Sequence, residues 1–544
     1  MKNIYYIALA SIIVAGSFQV ANSAPLTYDD ALKLYPQTIS AKDFGAIPDD
    51  GKDDAEPLRK AIAEAEKLSE KGGVRIVLEP GRYDLLSEIN GSALPFVNMK
   101  NIMVDGAGAT LVRHKQWTNF LVDECKSMTF ANMNFETDPI PFAGAKVIAH
   151  GDSYFDCEVV PPHVVREVHP KAVISFNKDR DAMDWGGTDI YQLATNLRIK
   201  KLSETTMRVP LEKYAMRRIP PIGSDVVVRY EVYGPAAFSL RGGKNIRIYN
   251  INIYTHSGMG IHGSNTQNIL IDNLNVVAKS KDLWMSATAD ATHFNYCRGK
   301  IEILNSRFEK MGDDATNVHQ MYWLLEEKIS PQKIRITWGK KTQGNPSYIK
   351  EFLPRVGDKI AFGESNNWFR FGAFSNVTKL ELDPESMTWI LDLEEPLPDY
   401  VCKGMPMGNM SADPKLTIRN CKVRGNRARG FLIKVSNATI DSCSFDYPTG
   451  AAILMENDAN YWYEGFRTQK VNIRNCRFNN CNSRSGAQPA AILDATSFSK
   501  GMPCEGPVNG TTTIENCVFE NNGPEPIKLH QTANPVLKDI TIRE

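Results

Sequence analysis

Three aspartates stand in two stretches that share an Asp-Ala-Thr phrase. Asp290 lies in Ala289-Asp290-Ala291-Thr292-His293-Phe294, and Asp313 and Asp314 lie in Gly312-Asp313-Asp314-Ala315-Thr316-Asn317-Val318-His319. Carboxylates held within several ångströms oppose one another's ionisation, so one keeps its proton while another stays charged. Glycoside hydrolysis asks for that division: an acid protonates the leaving oxygen and a base activates water. A lone Asp at a turn is ordinarily a cap for backbone N–H groups. Three brought into line by a repeat point instead to catalysis. His293 and His319 flank the cluster as sugar contacts or orienters of the carboxylates, in preference to zinc ligands, and Asn317 joins them as a candidate sugar contact.

Asp290 leads Asp313 by 23 residues, so the cluster exists only if one structural repeat is about that long. Such a repeat is present. Ile246 to Ile253, Ile269 to Val276 and Ile301 to Phe308 each read as a short alternating strand, a polar corner and a second short strand, as do Leu416 to Val423, Val471 to Phe478 and Thr513 to Phe519. Asn250 and Asn273 are 23 apart, and Cys421 and Cys443 are 22 apart. Strand repeats of this length without intervening helices predict a parallel β-helix, whose coils vary by loop insertion. Coils stack about 4.8 Å apart. Asp290 and Asp313 are therefore expected as neighbours on one face, and Asp314 as inward-pointing if its strand is regular.

The fold expected is all-β: a parallel β-helix with two inserted small β-barrel domains and an N-terminal capping helix. Residues 1–23 read as a signal peptide, 24–144 as the cap and first coils, 145–235 as a barrel-like insertion, and 236–323 as the central coils with the aspartates. Residues 324–410 read as a second barrel-like insertion and 411–544 as the C-terminal coils. The insertions share the phrase Gly223-Ser224-Asp225-Val226 and Gly357-Asp358-Lys359-Ile360, suggesting a duplicated module. Asp49 to Asp54 precede a helical pattern at Leu58 to Ala65 and are expected as a turn and cap rather than a calcium loop.

Lys2, the apolar run to Val20 and the small residues at Ala21 to Ala24 predict cleaved export to the periplasm or exterior, with no membrane span remaining. Lys and Arg number 63, as do Asp and Glu, and no basic run occurs, which excludes a nucleic-acid surface. The ten cysteines contain no CxxC pair, and four follow Asn or Ser within the repeat phrase, predicting mostly free, buried thiols rather than a zinc site. Later coils add Arg429 and Lys434 as cations, Glu456 and Glu464 as carboxylates, and Trp462 as a ring able to stack on a sugar.

These phrases, with Asp43-Phe44-Gly45-Ala46, Arg427-Ala428-Arg429-Gly430 and Trp462-Tyr463-Glu464, resemble glycoside hydrolase family 110, the exo-acting α-1,3-galactosidases, over most of the chain. The resemblance implies a right-handed parallel β-helix and inverting hydrolysis without metal or cofactor. The substrates implied are blood-group-B-type or linear α-1,3-galactosyl glycans that lose their terminal α-linked galactose. It implies Asp313 as general acid and Asp290 and Asp314 acting on water, with acid and base open to exchange. Gln320 departs from the family pattern, where glycine is expected. Runners-up are a polygalacturonase, whose Gly-His phrase after the Asp pair is lacking, and a polysaccharide lyase, which would use Arg429 or Lys434 as base. The expected partner is an oligosaccharide or glycoconjugate; oligomeric state, a homodimer included, stays open.

Overall fold

The computed structural model describes residues 24–544 except 192, 194–195, 213–214, 340–350, 384–385, 387 and 483–489. The signal-peptide expectation for 1–23 lies outside the described residues. No helix among them is long and apolar enough to cross a membrane.

The repeat phrases are strands stacked in parallel. Lys126–Thr137, Lys244–Ile253, Gln267–Val276, Arg298–Leu304, Lys415–Arg419, Asn437–Asp441, Lys470–Arg474 and Asn509–Glu520 follow one another along an 18-stranded sheet. Their polar corners have a physical cause. Asn132, Asn250, Asn273, Asn305, Asn420, Asn475 and Asn516 all take φ between 50° and 60°, a left-handed conformation that asparagine tolerates. Their side chains also ladder: Asn250 Nδ2 donates to Asn132 Oδ1 and Asn273 Nδ2 to Asn250 Oδ1, each at 2.9 Å. Replacing Asn273 with Ala is expected to cost about 1–2 kcal/mol in denaturant unfolding, from backbone strain plus the lost ladder bond. A midpoint that did not move would show that the ladder carries no stability.

The residue after each corner faces inward. Cys421, Cys443, Cys476 and Cys517 occupy that position, each at most 2% exposed. All ten cysteines are free thiols, eight of them buried. Beside them Phe445, Phe478 and Phe519 stack with ring centroids 5.1 and 4.7 Å apart. The helix Ala55–Ser69 buries Leu58, Ala61, Ile62 and Ala65 against the first coils, covering strand edges that would otherwise be unpaired. The Asp-rich loop before it is a turn and cap: Asp53 Oδ1 accepts from the backbone N–H of Ala55 and Leu86 at 3.0 and 2.9 Å.

Two excursions leave the coil. The first, from Phe142–Gly151 to Asp225–Arg229, is a seven-stranded antiparallel sheet, and the second, from Trp323–Ser330 to Pro406–Asn409, closes into a six-stranded barrel. Where two barrels alike are expected, the described strands close only in the second. The shared phrase does the same work in both. Gly223 and Gly357 take φ of 88° and 89°, and each opens a strand by donating its N–H across it, to Val147 and Val377 respectively. Asp358 then ties the barrel to the coils, accepting both Arg298 guanidinium nitrogens at 2.6 and 2.7 Å and Asn409 Nδ2 at 2.8 Å.

Within the first excursion, His163 lies in an apolar pocket beside Phe142 and Trp284, and burial lowers its pKa to about 4. A histidine with a lowered folded pKa contributes stability that is full above its unfolded value near 6.5 and lost as pH falls toward 4. Relative to His163→Phe, the protein should lose on the order of 3 kcal/mol between pH 6.5 and 4, measured as the difference of two denaturation curves. Parallel pH curves would rule this out.

Candidate active site

The aspartates sit where the coil turns into an 11-stranded sheet, parallel except for the short strand Glu464–Gly465, which pairs antiparallel with Thr316–Met321. In it Thr292–Asn295 pairs with Thr316–Met321, which pairs with Phe431–Ile433 and then Ile453–Ala459. Thr292 is opposite Thr316, so the register here is 24, not 23, and the backbone N–H of Ala291 donates to Asp314 O at 3.0 Å. Asp290 therefore stacks on Asp314, and Asp313 stands one residue off the column. Asp290 and Asp313 are neighbours as expected, but by backbone register it is Asp314 that lies opposite Asp290. The cause is that residues 311–315 form an irregular corner rather than strand, so alternation of side chains does not apply. One carboxylate oxygen from each of Asp290, Asp313 and Asp314 lies within 4.8 Å of the other two. All three residues are buried.

Each carboxylate has its own partners. Asp314 accepts the backbone N–H of Arg429 at 2.9 Å and its guanidinium at 3.0 Å. Burial nevertheless pushes Asp314 well above the usual carboxylate range, with Asp313 and Asp290 adding to the rise against the pull of Arg429. Asp313 accepts Tyr191 and Tyr233 hydroxyls on Oδ2 at 2.8 and 2.9 Å, and Arg427 on Oδ1 at 3.1 Å. The two phenols also touch each other. Arg427 is shared with Asp189 at 3.0 Å and lies over the Tyr191 ring at 4.2 Å. Asp290 Oδ2 meets His293 Nδ1 at 2.7 Å.

A second polar line runs beside the first. Asn295 is opposite His319; Lys434 lies one residue past the Val318–Ile433 pair and Glu456 two residues past Leu432–Leu454, which continues the row. His319 Nε2 meets His293 Nε2 at 2.8 Å and lies 3.8 Å from Glu464. Glu464 Oε2 accepts Lys434 Nζ at 2.9 Å and Asn317 Nδ2 at 3.1 Å. Glu456 lies 4.0 Å from Lys434. Burial outweighs the nearby carboxylate and lowers His319 to about 3, so its ring is neutral. Burial opposes the charge of Lys434, but Glu464 and Glu456 hold its pKa above the ordinary lysine value. A lyase base must be neutral; neither Lys434 nor Arg429, also held above its ordinary value, suits that role.

Most sequence candidates thus converge. Trp462 is not drawn in among the buried polar groups: it is 40% exposed, packed edge-on against Tyr461. The Asp458 carboxylate fixes the loop that presents both rings, accepting the backbone N–H of Tyr461 and Trp462. Gln320 points away from the aspartates, pairing both ends of its amide with the Asn409 backbone at 2.8 and 2.9 Å, so the departure from glycine belongs to the barrel junction. Sequence reasoning missed Tyr191, Asp189, Tyr233 and Arg229. Arg229, which ends the first excursion, donates to Thr288 O and Gly312 O at 3.0 and 2.8 Å and staples the two aspartate-bearing corners. A Cβ on Gly312 would meet Thr288 O at 2.3 Å, which is why glycine precedes the Asp pair.

Residues 407–544 match the family model of the right handed beta helix region. Among curated proteins, alpha-1,3-galactosidase A of Shewanella woodyi is 27% identical over 479 residues, covering 82% of this chain and 76% of that protein. Alpha-1,3-galactosidase B of Bacteroides thetaiotaomicron is 24% identical, with coverage of 82% and 76%. Alpha-1,3-galactosidase A of Bacteroides fragilis is 23% identical, covering 95% of this chain and 89% of that protein. Among solved structures, a family 28 exopolygalacturonase of Yersinia enterocolitica aligns at TM-score 0.43 and 11% identity, over 94% of this chain and 76% of that one. With its geometry and these relatives together, the chain is a right-handed parallel β-helix protein similar, over most of its length, to proteins named alpha-1,3-galactosidase.

Proposed function

We propose that the protein is an exported, inverting glycoside hydrolase that removes terminal α-1,3-linked galactose from blood-group-B-type or linear α-galactosyl glycans. The observation that carries the reading is the cluster of Asp290, Asp313 and Asp314, buried and separately partnered, in a chain similar to so-named galactosidases. Asp313 protonates the leaving oxygen, while Asp290 and Asp314, stacked one strand apart, act on one water. Arg429 orients Asp314, and Glu464, Lys434, Asn317 and Glu456 supply hydrogen bonds for the sugar hydroxyls, with Trp462 a stacking surface at the rim; His293 and His319 have both ring nitrogens engaged and act on Asp290 rather than on the sugar.

One observation favours a second reading. The three oxygens lie within 4.8 Å, nearer than the roughly 6.5–9.5 Å of a typical inverting pair and closer to the spacing of retaining enzymes. In that case one aspartate would be a nucleophile and form a covalent glycosyl-enzyme. The substrate half of the proposal is tested by incubating the mature protein with galactose-α-1,3-galactose, a blood-group-B trisaccharide and polygalacturonate. Free galactose from the first two and no product from the third is expected; uronic-acid products alone would overturn the reading.

A further inference from the structure

We propose that Asp290 and His293 hold a single proton between them, placed by the backbone carbonyl of Gln320 acting through His319, and that His293 is the positioning residue that keeps Asp290 a carboxylate ready for water. The inference rests on the reading of Asp290 as a base. It comes from counting protons along one chain of contacts. A carbonyl only accepts, so at 2.8 Å from Gln320 O, His319 Nδ1 carries hydrogen. The His319 ring, fully enclosed, is neutral, so its Nε2 is a bare acceptor. His293 Nε2, 2.8 Å away, must then donate. His293 Nδ1 is left facing Asp290 Oδ2 at 2.7 Å, a contact that holds one further proton.

With that proton on the ring, His293 is an imidazolium and Asp290 a carboxylate. The groups around His293 support this placement. Asp290, Glu464 and Asp314 favour its charge against the cost of burial, and His262, whose ring lies 5.8 Å away, is itself lowered to about 3 and so neutral. Lys434 and Arg429 are engaged by Glu464 and Asp314. Burial raises Asp290 as well, so the pair holds its proton beyond the ordinary carboxylate range, and the rise of His293 above the ordinary histidine value fits the ring as its holder. In the reaction, the water O–H bond breaks with its proton going to Asp290, and the water oxygen bonds the anomeric carbon. The glycosidic C–O bond breaks, and its oxygen takes the proton of Asp313, which Asp313 regains from solvent before the next turnover. His293 keeps its own proton throughout, and Asp290 later returns the water proton to solvent.

The test is ¹⁵N NMR of histidine-labelled, substrate-free protein between pH 5 and 9, with signals assigned through His293→Gln and His319→Gln. His293 should show both ring nitrogens protonated at neutral pH and titrate above 6.5, and His319 should stay neutral with hydrogen on Nδ1. In Asp290→Asn, His293 should titrate at lower pH than in the wild type. His293→Gln should lower kcat about 100-fold and shift the alkaline limb of the kcat/KM profile, leaving only the limb set by the general acid, with little change in KM. A neutral His293 at pH 7, hydrogen on His319 Nε2, or an unaltered pH profile in His293→Gln overturns the proposal. Failure to cleave galactosides with the NMR pattern intact would remove the substrate reading alone.

Discussion

Replacing Asp313 with Asn should lower kcat on an α-1,3-linked disaccharide by about 10³–10⁴-fold while leaving the fold in place. Asn is isosteric, and Arg427 keeps Asp189 as a partner, so no buried cation is stranded. The loss should shrink on an aryl galactoside whose phenol leaves without protonation, because only the acid's contribution depends on the leaving group. Asp290→Asn and Asp314→Asn should lose activity equally on both substrates, since they act on water. If the aryl substrate rescues Asp314→Asn and not Asp313→Asn, acid and base are exchanged, a swap that the high-lying Asp314 would accommodate. The measurement is kcat for two substrates across three variants.

The second large effect concerns stability. Lys434 is 1% exposed and its ammonium rests on Glu464, which also holds Asn317 and faces His319. Removing one partner of a buried pair leaves the other charged and unpaired, at a cost of about 3–5 kcal/mol. Lys434→Ala should show that loss in urea unfolding. The double substitution Lys434→Met with Glu464→Gln should recover much of it, because both charges leave together. Equal losses in the single and double variants would mean that Glu464 is not stranded, and that packing alone holds this row.

Much of this was legible in the sequence because the solenoid repeats its backbone geometry. A left-handed corner recurs from coil to coil, most often at asparagine, with Ser442 in its place before Cys443, so Asn250, Asn273, Asn305 and Asn420 announce the coils. The inward thiols at Cys421, Cys443, Cys476 and Cys517 follow from the same register. The aspartates were legible as a cluster but not in their order. The spacing of 23 between Asn250 and Asn273 does not carry over to the strand pair Thr292–Asn295 and Thr316–Met321 in the other sheet, which is offset by 24, and the irregular corner at 311–315 sets Asp314 opposite Asp290. Tyr191, Asp189 and Arg229 were invisible for a different reason. They lie in an excursion whose residues have no repeat partner, so a period cannot place them over the coil, although they bind Asp313, Arg427 and both aspartate corners. Gln320 shows the converse: a departure beside the site that acts on the barrel junction.

The most direct measurement of the central claim is proton NMR of the sugar released from galactose-α-1,3-galactose in the first minutes of reaction, with Asp313→Asn in parallel. Three carboxylates dividing acid and water-activating roles predict β-galactose first, and none from the variant. Early α-galactose would contradict inversion and assign a covalent intermediate to the closely spaced pair; undiminished release by Asp313→Asn would remove Asp313 from the chemistry altogether.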